Sequence, residues 1–243
     1  TGVKLHEGLV SLGGYAFQNC DGLTDMTIPK SMETIGNYAF YDCSGMVKLT
    51  IPNTTVKLGT YSFGNCKGLR TVTLPVDYDF SSNPFAASSS SEHTNGVTTI
   101  HYTVGQTGVM TDRVGNTNSI YGYSRTLMYH SRNSVQSIDF EEGITHVGDY
   151  LCYPGGTALT QVKLPDSVKT IGDCSFYGCS ALTGIDFNDG VERLGSYAFY
   201  GCKGFEDLPA FPESLTVVGD NAFADCDGLT SLTIPATVTS IGA

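Results

Sequence analysis

Tryptophan is missing altogether from the 243 residues, and basic side chains are scarce: 13 Lys and Arg stand against 24 Asp and Glu, a formal net charge of −11. Without indole rings any platform for stacking sugars is weakened. So few cations argue against nucleic acid and against anionic membrane surfaces as partners. No run of 18 or more apolar residues occurs, so no transmembrane helix and no membrane insertion are expected. The usual marks of chemistry are missing too. There is no G-x-S-x-G elbow, no phosphate-binding loop, no G-x-G-x-x-G and no H-E-x-x-H. The five histidines are scattered, and no C-x-x-C pair has zinc spacing. The expectation is a chain that is not an enzyme, with no catalytic residue, no cofactor and no metal.

What the chain has instead is repetition. LTDMTIPKSMETIGNYAFYDCSG (Leu23 to Gly45) returns as MVKLTIPNTTVKLGTYSFGNCKG (Met46 to Gly68), and again as LTQVKLPDSVKTIGDCSFYGCSA (Leu159 to Ala181) and LTGIDFNDGVERLGSYAFYGCKG (Leu182 to Gly204). A fixed period in this range is the mark of a solenoid. Within a unit, Met26 and Ile28 have the period-two spacing of a short strand. Pro29 then removes a ladder donor, as do Pro52, Pro75, Pro165 and Pro235 elsewhere. A Gly follows the next apolar residue at Gly13, Gly36, Gly59, Gly148, Gly172, Gly195, Gly219 and Gly242. That recurrence implies a corner needing either positive φ or close backbone approach. A single coil buries too little apolar surface to fold alone, so each unit implies its neighbours.

Taken in order, a partial coil ends at Gly22, two regular coils follow, and the coil from Leu69 loosens after Pro75. There Asn83-Pro84-Phe85 stands in for the aromatic turn, before the Ser-rich run ASSSSEHTNG. A strand restarts at Val97 with Ile100 and Tyr102 facing inward, and the next clean start is Val135, leaving about fifteen extra residues in that coil. In the coil from Val135, Cys152 takes the Phe place. The reading is one solenoid over 1–243 of about ten coils, the first and last incomplete, with surface insertions near 76–96 and 103–134. Because both ends fall inside coils, the chain reads as a piece of a longer protein, and the missing signal peptide then carries no weight.

The run L-T-x-[IV]-x-[IL]-P-x-[ST]-V-x-x-I-G-x-x-A-F-x-x-C resembles the BspA-like leucine-rich repeats of bacterial surface proteins, over nearly the whole chain apart from 76–96 and 103–134. It departs from the common ligand-binding leucine-rich repeat in lacking an Asn ladder and a helical convex segment. The resemblance implies a right-handed, mainly β leucine-rich repeat solenoid with a parallel sheet on one side and little or no regular helix. It also implies a non-enzymatic extracellular or cell-surface module for protein binding or adhesion, with an extracellular or host protein as partner, the chain itself being a monomer. A passive spacer displaying another domain is the alternative, and carbohydrate binding a weaker one.

Several residue sets remain as candidates. Cys20, Cys43, Cys66, Cys179, Cys202 and Cys226 share one repeat position. Stacked coils bring such residues about 5 Å apart, but they point inward in parallel, which suits a thiol ladder better than disulfides. Cys152 and Cys174, in adjacent coils, are open to bridging. Asp139–Gly143 (DFEEG) and Asp186–Gly190 (DFNDG) read as solvated acidic turns in preference to calcium loops. Phe40, Phe63, Phe176, Phe199 and Phe223 should stack in one buried column. Tyr15, Tyr38, Tyr61, Tyr150 and Tyr197, with Tyr41, Tyr177 and Tyr200, form an aromatic stripe that shields the repeat's own edge or binds. The concave sheet should expose Asp25, Lys48, Asp139, Gln161, Lys163 and Asp186, the acids at 139 and 186 flanking Lys163 in a ladder of adjacent strands. Finally, the insertion gathers Tyr121, Tyr123 and Tyr129 with Arg113, Arg125 and Arg132 in an otherwise acidic chain. Tyr and Arg supply most interface hot spots, which makes this segment a candidate protein-binding site.

Overall fold

The computed structural model describes residues 3–78, 82–86, 96–110, 127–206 and 210–243. The elements in chain order are β1 (Ser11–Leu12), β2 (Asp25–Thr27), β3 (Thr34–Ile35), β4 (Lys48–Thr50), β5 (Lys57–Leu58), β6 (Thr71–Pro75), β7 (Thr99–Thr103) and α1 (Leu127–Ser131). After them come β8 (Ser137–Phe140), β9 (His146–Val147), β10 (Gln161–Lys163), β11 (Thr170–Ile171), β12 (Arg193–Leu194), β13 (Val217–Val218) and β14 (Ser240–Ile241). Every pairing is parallel, and the chain is a parallel β-solenoid. The first strands of the coils form a six-stranded sheet in the order β10-β8-β7-β6-β4-β2. The second strands form two shorter sheets, β1-β3-β5 and β14-β13-β12-β11-β9.

The local reasons lie in the repeat. In β2, Met26 points into the core while Asp25 and Thr27 face out, and Ile28 continues the inward register. Pro29 closes the strand, and Ser31 then reaches back one coil: its hydroxyl donates to the Leu9 carbonyl (2.9 Å) and accepts from the Gly8 N–H (2.9 Å). Ser167 repeats this with Ile144 and Gly143, and Ser214 donates to Val191.

The corner glycines do not use positive φ; Gly36, Gly59, Gly172, Gly195, Gly219 and Gly242 permit close approach. A Cβ on Gly59 would lie 2.5 Å from the Asn37 nitrogen, and one on Gly195 would lie 2.5 Å from Asp173 Oδ1. Left-handed backbone falls instead two residues later, at Tyr15, Tyr38, Tyr61, Tyr150, Cys174, Tyr197 and Asn221, with φ from 53° to 60°. It recurs four residues further on at Asn19, Asp42, Asn65 and Asp225, where Asn and Asp are the expected side chains. Each non-glycine costs about 1–2 kcal/mol there. A third ladder offsets that cost: the N–H groups of Tyr38, Phe40 and Asp42 donate to the carbonyls of Thr60, Ser62 and Gly64 in the next coil at 3.0, 2.8 and 2.9 Å.

The core runs inside these three sides. The phenylalanines form two stacks, not the one column expected. Phe17, Phe40, Phe63 and Phe85 lie at centroid spacings of 5.3, 5.2 and 5.9 Å. Phe176, Phe199 and Phe223 follow at 5.4 Å each, with Phe223 only half-buried. Phe85 does take the aromatic place, and Cys152 fills it in the coil where the second stack would otherwise begin, donating its N–H to Ser175 as Phe40 does to Ser62.

Candidate functional site

On the outer face of the six-stranded sheet the in-register pairs set two rows. One runs Asp25, Lys48, Thr71, Thr99, Ser137, Gln161; the other runs Thr27, Thr50, Thr73, His101, Asp139, Lys163. The face is charged at its two ends and hydroxyl-rich between them. Ser137 donates to Thr99 (3.2 Å), and His101 Nδ1 meets Asp139 at 2.9 Å. Asp25, Lys48, Gln161, Lys163 and Asp186 are exposed. Asp139, Gln161, Lys163 and Asp186 line one hollow of about 470 Å³. The expected ladder of alternating charge is half realised. Lys163 lies opposite Asp139, but Asp186 sits on no strand, because Gly184 in that segment brings no side chain to pack and weakens pairing.

The tyrosines lie along the turns. Tyr15 stacks on Tyr38 at 5.1 Å and 3°, and Tyr38 meets Tyr61 at 5.2 Å. A second strip runs Tyr150, Tyr153, Tyr177, Tyr200, closing at 4.7 Å and 11° for the last pair. The two parallel pairs, Tyr15–Tyr38 and Tyr177–Tyr200, cover ring faces with each other, whereas Tyr38–Tyr61, Tyr150–Tyr153 and Tyr153–Tyr177 meet at 56°, 88° and 54°. The Tyr200 hydroxyl donates to Asp225, which with burial pushes the phenol up to about 12.

The insertion is anchored at both feet. On entry, Gly108 accepts from the Thr145 N–H at 2.8 Å and Met110 donates to His146 at 3.2 Å, so this segment replaces a second strand. On exit, Leu127 and Met128 of α1 are buried and Ser134 donates to Val97 (2.8 Å). Tyr102, at the start of this coil, faces inward as its strand position requires: it is 2% exposed and stacks on Phe140 at 5.3 Å. Arg113, Tyr121, Tyr123 and Arg125 lie outside the described residues. Tyr129 falls within α1, and half-buried Arg132 follows it.

All eight cysteines are free thiols. The column has a hydrogen-bonding role: Cys43, Cys66, Cys202 and Cys226 direct Sγ at the carbonyls of Phe17, Phe40, Phe176 and Phe199, at 3.0, 3.2, 3.3 and 3.2 Å. Burial pushes Cys43 up to about 11 and Cys66 to about 12, and pushes Cys174, outside the column, to about 11. Thiols held protonated in this way are poor nucleophiles and poor ligands. Among the described residues no three His, Cys, Asp or Glu groups converge as a metal site. In the DFNDG turn, Asn188 serves as a tie: Oδ1 accepts from Gly190 (2.7 Å) and the amide donates to the Pro165 carbonyl.

One set of residues escaped the sequence reading. After the corner glycine, Asn37, Asp149, Asp173 and Asp220 each accept a backbone N–H from the next coil, from Thr60 (2.9 Å), Asp173 (2.6 Å), Ser196 (2.7 Å) and Ala243 (3.3 Å). The recurring Gly-Asn or Gly-Asp pair was the available signal.

A family model described as the BspA type leucine rich repeat region, in six copies, matches residues 1–104 and 124–243. No curated protein matches the chain. Among solved structures, a T. pallidum leucine rich repeat protein is 18% identical, aligned over 90% of this chain and 73% of its own, with a TM-score of 0.35. A Bacteroides ovatus leucine-rich repeat protein is 21% identical over 91% and 81%, with 0.38. A leucine rich cell surface protein of Faecalibacterium prausnitzii is 18% identical over 98% and 85%, with 0.39.

Proposed function

We propose, for a chain that belongs to the BspA-type leucine-rich repeat family, that it is a non-enzymatic protein-binding or adhesion module working outside the cell or at its surface. Membership of that repeat family supports a protein-interaction module. The observation that carries the reading is the sheet face. Short parallel strands hold two straight rows of polar side chains, with charge at both ends, while the cysteine column packs in and against the core. Such a surface recognises by shape and charge and performs no bond chemistry. The partner is an extracellular or host protein, contacted through the sheet face, with the insertion carrying Tyr121, Tyr123 and Arg125 as a second contact.

The test is an array of host-surface and matrix proteins probed with the parent, with Lys48→Glu/Lys163→Glu, and with Tyr121→Ala/Tyr123→Ala/Arg125→Ala. Specific capture by the parent, weakened at least about tenfold by Tyr121→Ala/Tyr123→Ala/Arg125→Ala or shifted as much in either direction by Lys48→Glu/Lys163→Glu, supports the module. Capture of nothing by the parent rejects it in favour of a passive spacer.

A further inference from the structure

The six-stranded sheet ends at β10 although the coils do not. In the regular coils the next strand closes on the last: Thr71 donates to Val47 (3.1 Å), and Ile51 donates to Thr73 (2.8 Å). At the equivalent junction, between β10 and residues 183–187, none of the corresponding bonds is made. Gly184 and Asp186 do not donate to Thr160 and Val162, and Leu164 does not donate to Asp186. Alternation points the Val162 N–H and carbonyl the same way, since Gln161 already donates back to Gln136 (3.1 Å). The same two coils stay joined on the opposite side, where β11 pairs β12. Asn188 also ties them just beyond the opening, through the Pro165 carbonyl. The coils are therefore hinged shut behind and parted in front, and the opening is the hollow of about 470 Å³ lined by Thr160–Lys163 and Thr183–Asp186. That volume lies within the ~300–1,000 Å³ range of sites that take ligands.

We propose that this opening is a strand-addition site, in which the free edge of β10 takes up a short, extended, basic segment of a partner protein. An exposed row of unpaired N–H and carbonyl groups is a template for another strand, and backbone pairing supplies affinity whatever the side chains. The sign of the segment follows from the lining. Asp139 and Asp186 outnumber Lys163, in a chain of net charge −11. Open space around Gly184, whose added Cβ would meet nothing within 4 Å, leaves room for incoming side chains. The inference rests on the protein-interaction reading and names the place and the kind of partner.

The probe is a synthetic seven-residue peptide alternating Val with Lys or Thr, added to the whole chain. It should bind, slow amide exchange at Val162 and Leu164, and lose at least about tenfold in affinity when N-methylated at alternate amides or when its Lys are replaced by Glu. Asp186→Lys, an exposed change, should weaken it at least about fivefold. Equal binding of the N-methylated or the acidic peptide overturns the proposal, and so does protection elsewhere on the sheet. Self-association that protects the same amides would assign the opening to a second copy, and would also overturn it. If the peptide fails while Lys48→Glu/Lys163→Glu still shifts the binding of a captured protein, the strand site falls and the interaction module stands. If both fail, both fall.

Discussion

The two strand ladders of this solenoid differ in where they hold. Among the described residues the first-strand ladder is continuous from Asp25 to Lys163, crossing the long insertion through β6, β7 and β8, while the second strands pair as β1-β3-β5 and then from the Val109–His146 bridge into β9. From His146 to Ile241 the second-strand ladder is the continuous one, and the first stops at β10. The difference shows that a coil can dispense with one side if another holds. Beside the insertion, β6 and β7 lengthen to five residues each. Where Gly184 and Asp186 spoil the first strand, the turns still bond: Phe176 donates to Ala198 and Gly178 to Tyr200, at 2.8 and 2.7 Å. Nearest-neighbour stacking of this kind makes stability a sum over interfaces, so the weakest interface is set locally.

That comparison can be broken by substitution, and the core gives the largest effect. Phe199→Ala should cost about 3–5 kcal/mol. Since it lies beside the opened junction, it should also split calorimetric melting into two transitions. Phe40→Ala, with both ladders beside it, should cost as much and leave one transition; two transitions in both variants, or in neither, would remove the distinction between the blocks. Alkali acts next. The thiols of Cys43 and Cys66, at about 11 and 12 in the fold against an ordinary 9.0, favour the folded state fully below pH 9. That contribution is lost progressively as pH climbs from about 9 to about 12, on the order of 2–4 kcal/mol. Thermal melting against pH checks this, and Cys66→Ala should flatten the fall.

Glycines sharpen the contrast between the ladders. Gly195→Ala, in the intact second-strand corner, should cost about 1–3 kcal/mol because its Cβ would press on Asp173 and on the Gly172 backbone. Gly184→Ala, in the open junction, should be neutral or gain about 0.5–1 kcal/mol. Urea melts of the pair measure the difference, and similar losses in both would mean that the junction is packed. The smallest effects concern one repeat position. Ser175 donates to Gly148 and Gly172, both at 2.9 Å, whereas buried Ser62 Oγ has no partner. Ser175→Ala should lose about 1 kcal/mol and Ser62→Ala should lose nothing or gain. Ala39, Ala198 and Ala222 already occupy that place in other coils.

The coil outline was legible because each unit repeats its own reasons: alternate apolar residues for the strand, Pro to end it, Gly where backbones touch. Phe85 and Cys152 could be placed on the aromatic turn by spacing alone. The breaks were harder to read. Asp186 aligned with Asp139 by count, and only the unmade backbone bonds show that its segment leaves the sheet. The Asn and Asp ladder was hidden because those residues also read as ordinary turn formers. The left-handed tyrosines were hidden because bulky side chains seldom adopt that conformation. Of the candidate contacts, the sheet-face residues other than Asp186 lay where the period put them, while the insertion follows no period and could be argued only from composition.

Amide hydrogen exchange of the unliganded chain tests the central claim directly, by comparing Leu164 with Ile51. The two occupy the same repeat position, and only Ile51 donates to the next coil. The account predicts that Leu164 and Val162 exchange at least about a hundredfold faster than Ile51, with Gly172 and Gly195 behind them protected. Equal protection of Leu164 and Ile51 would mean that the sheet closes past β10, and would contradict it.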